Sequence, residues 1–461
     1  MAEERKDLDD LKQILRYGSD EELRDFLSLL HPADLADLIE QAEPEERDRI
    51  FRLLPPEKAS RVLPEIEDWY RNEIIKRLSH NQIVEIVDEM PSDEAVDLVS
   101  ELPPEEARRV LEEIEKEDSE KVRRLLRYPE ESAGGIMQVE LVSVRANATV
   151  SEVIEEIRKK REKVQDLHYV FVVDEDNRLV GVLDLSRLLL AEPDQRVSEL
   201  MKTDVIKVRV DMDQEQVAEM FRRYNLFTLP VVDREGRLVG RITADDVFEV
   251  MADEADEDFL LMAGAGEAEL EERNIFKSAW ARLPWLTITF VGEMVTGAVI
   301  GFYHQLLQQL IVLTTFLPII MAMGGNVGNQ SATIVVRGLA TGKIDLRKVG
   351  KLILHQSLIG FLMGMIIGVV LVVFTQFRYK STIYASTIYV STIYVGLVVG
   401  LSICLVMTIA ALVGTALPLI FKRFKVDPAI ATAPFISTFC DALSTLIYLG
   451  MANFLLIKLA L

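Results

Sequence analysis

The sequence predicts a multidomain protein with an α-helical solenoid, a tandem pair of α/β modules and an all-α membrane domain of five helices. Three observations predict this architecture. A helical pattern recurs every twelve residues near the amino terminus, two later segments match at an offset of 59 residues, and five long apolar stretches fill the last part of the chain. Charge divides the chain in the same way. Before Ile275 there are 70 acidic and 38 basic residues, a net charge of −32, whereas four acidic and 13 basic residues follow, a net charge of +9.

The solenoid is predicted over residues 1–132. Between Leu30 and Leu126 each unit has a turn residue, a first helical turn rich in acids, and apolar residues at i, i+3 and i+4. Proline is tolerated at the start of a helix, and acidic residues there complement the helix dipole. Because such short helices cannot bury their apolar faces alone, we expect them to stack on one another.

Two copies of one α/β module follow the solenoid. The segment FVVDEDNRLVGVLDLSRLL from Phe171 matches PVVDREGRLVGRITADDVF from Pro230, and each copy reads as strand, helix, strand, tight hairpin, strand and helix. The pair resembles tandem cystathionine-β-synthase (CBS) modules, which we assign to residues 133–198 and 199–247. The net acidic surface of this part argues against nucleic acid as a partner.

The second module carries a motif that the CBS family can use to bind an adenine nucleotide such as ATP. The motif is G-x-x-T-x-x-D, present here as Gly240, Thr243 and Asp246, whereas the first copy departs from it with Asp184 and Arg187. The resemblance implies one nucleotide site. Alternatively, Thr243 and Asp246 only cap the helix that follows, a role that suits both residue types.

A connecting helix rich in acids is predicted over residues 248–276. Residues 245–258 hold eight acidic and no basic side chains, so like charges three and four positions apart repel one another. Divalent cations with oxygen ligands, Mg²⁺ or Ca²⁺, would relieve that repulsion. The alternative is a helix end whose acids are simply solvated.

The membrane domain is predicted over residues 277–461, with each apolar stretch long enough to cross a bilayer. The stretches are Trp285–Tyr303, Ile311–Val336, Leu352–Phe377, Val395–Phe421 and Pro428–Ile457. Basic residues cluster before the first, between the second and third, and between the fourth and fifth. The positive-inside rule therefore predicts a multi-pass protein of the cell (plasma) membrane with a cytoplasmic amino terminus and an outside carboxy terminus. The repeat STIYASTIYVSTIYV from Ser381 could form an interfacial strand or lengthen the fourth span.

Two predicted spans are unusually polar. GGNVGNQSAT from Gly324 lies in the second, and the fifth places Ser437 and Thr438 one turn before Asp441. A carboxylate at bilayer depth is costly, so Asp441 is a candidate functional residue. Hydrogen bonds between helices could account for the amides and hydroxyls. Glu293 in the first span is a weaker candidate, either a second pore acid or a residue buried with threonine or backbone partners.

The whole chain resembles the MgtE family of Mg²⁺ channels. The resemblance is carried by ESAGGIM at Glu131, GGNVGNQSAT, VDPA at Val426 and Asp441, in addition to the order of the domains. It implies a homodimer that takes up Mg²⁺ through a pore where Asp441 binds the ion. Candidate pore-lining residues are Asn326, Asn329, Ser437, Thr438 and Ala433.

The resemblance also implies a cytosolic Mg²⁺ sensor that closes the pore. Its acidic residues would be Asp93, Asp97, Asp246, Glu249, Glu254, Glu257, Asp258 and Asp427. Three positions depart from the family pattern: Arg61 replaces a glutamate, Asn225 an aspartate, and Ala433 a polar residue. With no phosphate-binding lysine motif, an ATP-driven pump and enzymatic chemistry are not expected. A secondary divalent-cation exchanger and a membrane-anchored adenylate sensor remain alternatives.

Overall fold

The computed structural model describes residues 14–15, 17–161, 164, 167–265, 275–344, 346–379, 383–384, 389–431 and 433–459. The chain forms two compact units, Met1–Ala252 and Asp253–Leu461. The boundary between them falls within one long helix. Each unit is described by itself.

The first unit begins with the predicted series of short helices. Several have a proline at the first or second position, and Ser19 and Ser79 each form a capping box with the residue three positions later. The helices are α1 (Asp20–Leu29), α2 (Pro32–Glu40), α3 (Pro44–Leu53), α4 (Pro56–Val62), α5 (Asp68–Ile75), α6 (His80–Asp88), α7 (Ser92–Glu101), α8 (Pro104–Glu113) and α9 (Lys116–Leu125). Their apolar faces, with Leu35, Ile50 and Val62 fully covered, form a continuous core.

The two α/β modules have the same topology. In each, the first strand pairs in parallel with the second, and the second pairs antiparallel with the third. The first copy contains β1 (Ser143–Arg145), α10 (Val150–Lys159), β2 (Tyr169–Val173), β3 (Leu179–Asp184) and α11 (Leu185–Leu190), and α12 (Val197–Leu200) follows it. The second contains β4 (Val208–Arg209), α13 (Gln214–Tyr224), β5 (Thr228–Val232), β6 (Leu238–Thr243) and the start of α14 (Ala244–Ala263).

The solenoid shares its core with the second module rather than the first. Buried Val208, Leu229 and Ile242 belong to the same apolar cluster as the solenoid helices, whereas the first module has a core of its own. The segment after the solenoid reinforces this arrangement. Gly134 N–H donates to the Val210 carbonyl at 3.0 Å, and Gln138 and Arg241 exchange two backbone hydrogen bonds of 2.9 Å. The segment thus pairs with the module that is more distant in sequence.

Among the described residues, five helices are long and apolar enough to cross a membrane. The helical and short strand elements of this unit are α15 (Ile275–Phe302), α16 (His304–Gln309), α17 (Leu317–Ala340), α18 (Val349–Tyr379), β7 (Ile383–Tyr384), β8 (Tyr389–Val390), α19 (Thr392–Arg423) and α20 (Ala433–Leu459). Short 3₁₀ turns over Ile311–Thr315, Leu346–Lys348 and Pro428–Ala431 precede α17, α18 and α20. The number of spans confirms the prediction.

The STIY repeat contains a short hairpin. Strands β7 and β8 pair antiparallel, Ile383 with Val390 and Tyr384 with Tyr389. Repeat residues 381–382 and 385–388 lie outside the described residues. Both alternatives are found in part: the paired strands are two residues long, and the third unit of the repeat, from Thr392, forms the start of α19 and lengthens the fourth span.

Glycines let the membrane helices approach one another closely. A Cβ at Gly414 of α19 would collide with the backbone of Gly328 of α17, and one at Gly368 of α18 would lie 2.6 Å from the Gly400 carbonyl oxygen of α19. Without a hydrophobic driving force between helices in lipid, such close backbone packing is a main source of their association.

Candidate functional site

The polar residues of the second and fifth spans meet where α17 packs on α20. Gly325 of α17 faces α20, and a Cβ there would lie 3.6 Å from the Asp441 Oδ1 atom. One turn along, Asn329 Nδ2 donates to Ser437 Oγ at 2.7 Å. The Asn329 Oδ1 atom is buried and has no hydrogen-bond partner in the described part of the chain. Carboxylate, hydroxyl and amide oxygens therefore share one helix interface.

The Glu293 carboxyl group of α15 joins this interface. It lies within hydrogen-bonding distance of the Asp441 carboxyl group, which is half-buried, while the Glu293 side chain remains exposed on the surface of the protomer. Burial with threonine or backbone partners does not describe this exposed side chain, and the role of Glu293 as a second pore acid stays a prediction. No lysine or arginine lies deep in the apolar stretches, so a basic side chain of the same span cannot balance the pair.

The other pore candidates differ in their surroundings. Asn326 is exposed on α17. Thr438 is buried, its hydroxyl donates to the Pro434 carbonyl at 2.6 Å, and its methyl group faces Gly292 of α15. Thr438 therefore packs against a helix, and we leave it out of the proposed ion site. Ala433 begins α20, and its side chain lies outside the described residues.

In the first unit, the predicted sensor acids of the solenoid meet those of the second module. Asp93 and Asp97 lie on α7, and Asp246 and Glu249 lie in the first turns of α14. Asp93 is close enough to Asp246, and Asp97 to Glu249, for each pair of carboxylates to repel. These four residues, up to 156 positions apart in the sequence, therefore lie near one another, and their role as an ion sensor stays a prediction.

Burial and like charges raise the pKa values of these acids. Burial, then Asp246, hold the pKa of Asp93 well above its usual range. Burial and the neighbouring Glu249 raise the pKa of Asp97 to about 7, although part of its side chain is open to solvent. A group of acids that resists ionisation gains stability from a cation placed among them.

Sequence reasoning missed several participants in this interface, among them Glu94, Arg71 and Gln138. Glu94 lies among Asp97, Glu249 and Asp246, and burial raises its pKa to about 8, with Asp97 as the next cause. Arg71 of α5 ion-pairs with Glu101 at 2.6 Å and with Asp68, and its charge partly offsets the repulsion at Glu94 and Asp97. Gln138 Nε2 donates to Asp93 Oδ2 at 3.2 Å. Glu94 carries a local signal, the acid in the first turn of its repeat, whereas Arg71 and Gln138 carry none.

In the second unit, Asp258 near the end of α14 approaches Asp427 at the start of a 3₁₀ turn. Burial and the Asp427 carboxylate raise the pKa of Asp258, and Arg337 of α17 opposes that shift. Asp427 accepts a hydrogen bond from the Ala429 N–H at 2.7 Å. Glu254 and Glu257 lie on the same helix as Asp258, which places these three predicted acids together on α14.

No group of three or more His, Cys, Asp or Glu side chains in the described part of the chain is close enough to form a preassembled metal cage. Mg²⁺ dehydrates reluctantly and is usually held through one or two carboxylates and several of its own waters. Neighbouring carboxylates such as Asp97 and Glu249 suit that mode of binding.

The predicted nucleotide residues are occupied by internal contacts. Thr243 donates to Asp246 Oδ2 from both its N–H, at 3.1 Å, and its hydroxyl, at 2.7 Å. At Gly240 a Cβ would lie 2.7 Å from Met137 Sδ, so the segment after the solenoid covers this position. These contacts match the helix-cap alternative. Of the departures from the family pattern, Arg61 is exposed on α4, and Asn225 ends α13 with φ of 50°, a left-handed conformation that asparagine tolerates.

Three family models match the chain in the order of its domains. "MgtE intracellular N domain" matches residues 30–131, "CBS domain" matches residues 133–194 and 197–253, and "Divalent cation transporter" matches residues 317–451. Together they cover the solenoid, both modules and the last four membrane helices.

Known proteins match the same regions. The magnesium transporter MgtE of Thermus thermophilus is 38% identical over 338 residues, which cover 73% of this chain and 72% of the relative. The corresponding protein of Bacillus subtilis is 33% identical over 72% of this chain and 71% of the relative. Two solved structures are also similar. The soluble part of a magnesium transporter is 28% identical with a TM-score of 0.52, and covers 55% of this chain and 99% of the solved one. The cytosolic domain of the Mg²⁺ channel MgtE in complex with ATP is 37% identical with a TM-score of 0.51, and covers 53% and 99%. With this identity over most of its length and the same order of domains, the chain belongs to the MgtE family.

Proposed function

We propose that this protein carries Mg²⁺ passively into the cell as a channel that cytosolic Mg²⁺ closes. The observation that carries the proposal is the interface of α17 and α20. There Asp441 faces Gly325, beside the hydrogen-bonded pair of Asn329 and Ser437. A carboxylate at bilayer depth without a basic partner needs a cation, a proton or water. A carboxylate and nearby oxygens suit an ion that keeps most of its water shell. The two named MgtE relatives, described as magnesium transporters, support the choice of ion.

The gating part of the proposal rests on the acidic interface of the first unit. Ions that bridge α7 and the start of α14 would lower the repulsion among Asp93, Glu94, Asp97, Asp246 and Glu249. A ligand shifts a conformational equilibrium only as far as it binds one state better than the other. The closed state is therefore the one in which these acids are brought together, and loss of Mg²⁺ releases it. No covalent chemistry is part of this mechanism.

The test of transport is Mg²⁺ flux in liposomes that contain the purified protein, with Asp441→Asn as the variant. The substitution keeps the size of the side chain and removes its charge, so flux should fall to the level of protein-free liposomes. Gly297→Ala is the control, since a Cβ there meets nothing within 4 Å. Normal flux through folded Asp441→Asn would show that the ion does not depend on this carboxylate.

The same assay separates the alternatives. A secondary exchanger would carry Mg²⁺ against its gradient when a pH or Na⁺ gradient is imposed, whereas a channel would not. A membrane-anchored adenylate sensor would show no flux in any gradient.

We also propose that the protein is a homodimer in the cell inner membrane, with the solenoid and both modules in the cytoplasm and the carboxy terminus outside. In the most apolar 18-residue stretch of α15, only 6% of the residues are buried within one chain. Lipid or a second copy therefore covers the others. The mass of the complex in detergent tests the dimer, and protease access from either side of the membrane tests the orientation.

A second candidate function is binding of an adenine nucleotide at the modules, because a similar cytosolic domain has been solved with ATP. The covered Gly240 position disfavours the second-copy motif. A more exposed position lies at the starts of β2 and β5, where His168 and Phe227 stack at 5.3 Å. Lys202 pairs at 2.7 Å with Asp184, which ends the neighbouring strand β3. In such a site the rings would stack on the base, the lysine would bind a phosphate and the carboxylate would accept hydrogen bonds from the ribose. Equal ATP affinity of the wild type and Phe227→Ala would exclude this location.

A further inference from the structure

Glu293 is the acidic side chain of the first membrane helix, and its neighbours place it at the proposed ion site. It lies two-thirds of the way along α15, and its carboxyl group is within hydrogen-bonding distance of Asp441 on α20. The preceding residue, Gly292, makes the approach of the two helices possible: a Cβ there would collide with the methyl group of Thr438. The contact between the two acids is therefore a product of helix packing and not of a long side chain reaching across open space.

Two carboxylates in contact repel each other unless a cation or a proton lies between them. Neither is balanced by a lysine or arginine of the membrane spans, because none lies deep in those stretches. Glu293 is also exposed on the surface of the protomer, in the middle of an apolar helix. Since a charged side chain that faces lipid is strongly disfavoured, this surface faces an aqueous passage or a second copy of the chain.

Two further oxygen atoms near the pair are buried without a partner. Thr445 lies one helical turn beyond Asp441 on the same face of α20 and is completely buried, yet its hydroxyl has no hydrogen-bond partner in the described part of the chain. The Asn329 Oδ1 atom is also buried without a partner in the described part of the chain. Asn329 contacts Ser437, which lies one turn before Asp441. Buried polar atoms normally have partners, so two exceptions around one acidic pair indicate a ligand or its waters.

We propose that Glu293 and Asp441 together bind the transported divalent cation, with Glu293 as the residue that sets selectivity for divalent over monovalent ions. The inference rests on the proposed transport function and extends it to a residue of the first span. Two carboxylates supply two negative charges at one point, which a single Mg²⁺ ion neutralises and a single Na⁺ ion does not. Asn329 and Thr445 lie about one helical turn to either side of Asp441, and in this proposal their unpartnered oxygens accept hydrogen bonds from the waters that the ion keeps.

The experiment compares wild type, Glu293→Gln and Glu293→Asp in liposomes, with Mg²⁺ flux measured as a function of external Mg²⁺ and Na⁺ flux measured in its absence. Glutamine keeps the shape and the hydrogen bond to Asp441 but removes one charge. We expect its half-saturating Mg²⁺ concentration to rise at least tenfold, as is typical when a group supporting a bound metal is lost. We also expect the ratio of Mg²⁺ to Na⁺ flux to fall. Aspartate keeps the charge and should retain most of the selectivity.

The outcomes separate this inference from the proposed function. Absence of Mg²⁺ flux through the wild type would overturn both. Normal wild-type flux with an unchanged half-saturating concentration and unchanged selectivity in Glu293→Gln would overturn the role of Glu293 alone, and would leave it as a packing residue. Wild-type flux driven by an imposed pH gradient, and lost in Glu293→Gln, would mean that the pair shares a proton and not a metal ion. If Glu293→Gln does not fold, Glu293→Ala takes its place, and an unchanged ion ratio with an unchanged half-saturating concentration in that variant would contradict the inference, because alanine removes the carboxylate altogether.

Discussion

Individual charged residues decide how the acidic interface behaves, and Arg71 shows why the sequence alone does not reveal this. A count of acids predicts simple repulsion between the solenoid and the second module. The structure places the Arg71 guanidinium among them, ion-paired with Glu101 and near Glu94 and Asp97. Arg71 reaches Glu101 thirty positions away, and no periodic pattern marks such a pair. Asp93, Asp97, Asp246 and Glu249 could be predicted from the sequence, but not Glu94 or the arginine that offsets part of the negative charge.

The stability of this interface should depend on pH in the direction opposite to that of ordinary salt-bridged acids. Because the pKa of Glu94 is raised from 4.5 to about 8, the folded protein favours the protonated form, and the associated stability is complete below about 4.5 and lost as pH rises towards about 8. We expect the melting temperature of the cytosolic transition, measured by circular dichroism with a chelator present, to fall across the upper part of this window. Added Mg²⁺ should reduce the fall, and Glu94→Gln should flatten it. A constant or rising melting temperature in the wild type would contradict the raised pKa.

At the scale of elements, repeats and long apolar stretches could be predicted because they leave local patterns. The twelve-residue period predicts the short helices, and the matched segments predict two sheets of the same topology. Long apolar stretches predict the five spans. Helix contacts could not be predicted in the same way. A glycine in a span indicates close packing without naming the partner helix, and the pairing of Gly328 with Gly414 joins positions 86 residues apart.

The close approach of α17 and α19 gives a prediction about a single methyl group. Gly414→Ala would place a Cβ against the backbone of Gly328, which cannot move aside as a flexible side chain could. Overpacking of this kind costs about 1–3 kcal/mol, so the variant should give less monodisperse protein in detergent and a lower melting temperature. Gly301→Ala in α15 is the matched control, because its added Cβ meets nothing within 4 Å. Equal behaviour of the two variants would mean that the two helices do not pack as described.

At the scale of the whole molecule, gating depends on several weak sites acting together. Asp97→Asn combined with Glu249→Gln removes two neighbouring negative charges, one from each side of the acidic interface. The double variant has less repulsion between the two elements, so the closed state depends less on bound Mg²⁺. It also has fewer carboxylate oxygens to bind the ion, so Mg²⁺ favours the closed state less strongly. Flux in liposomes should therefore persist at cytosolic-side Mg²⁺ concentrations several-fold above those that close the wild type. Glu105→Gln, an exposed acid of α8, is the control. A closing concentration unchanged from the wild type would exclude these two acids from the sensor.

The candidate ion site could be predicted in part from the sequence. Asp441 is recognisable because a carboxylate in an apolar stretch is rare, and its neighbour Ser437 follows from helical spacing. Its contact with Glu293 could not be predicted, since 148 residues and three other spans separate them. The covering of the nucleotide motif could not be predicted for the same reason. Gln138 pairs with Arg241, and the whole first module lies between them in the sequence.

The core shared by the solenoid and the second module has a consequence for synthesis on the ribosome. The solenoid leaves the exit tunnel first, but the strands that complete its core, from Val208 onwards, are translated about 80 residues later. At ordinary translation speeds this delay is on the order of ten seconds. During that interval the newborn helices present an uncovered apolar surface, so a chaperone able to shield it would be most useful before the second module emerges.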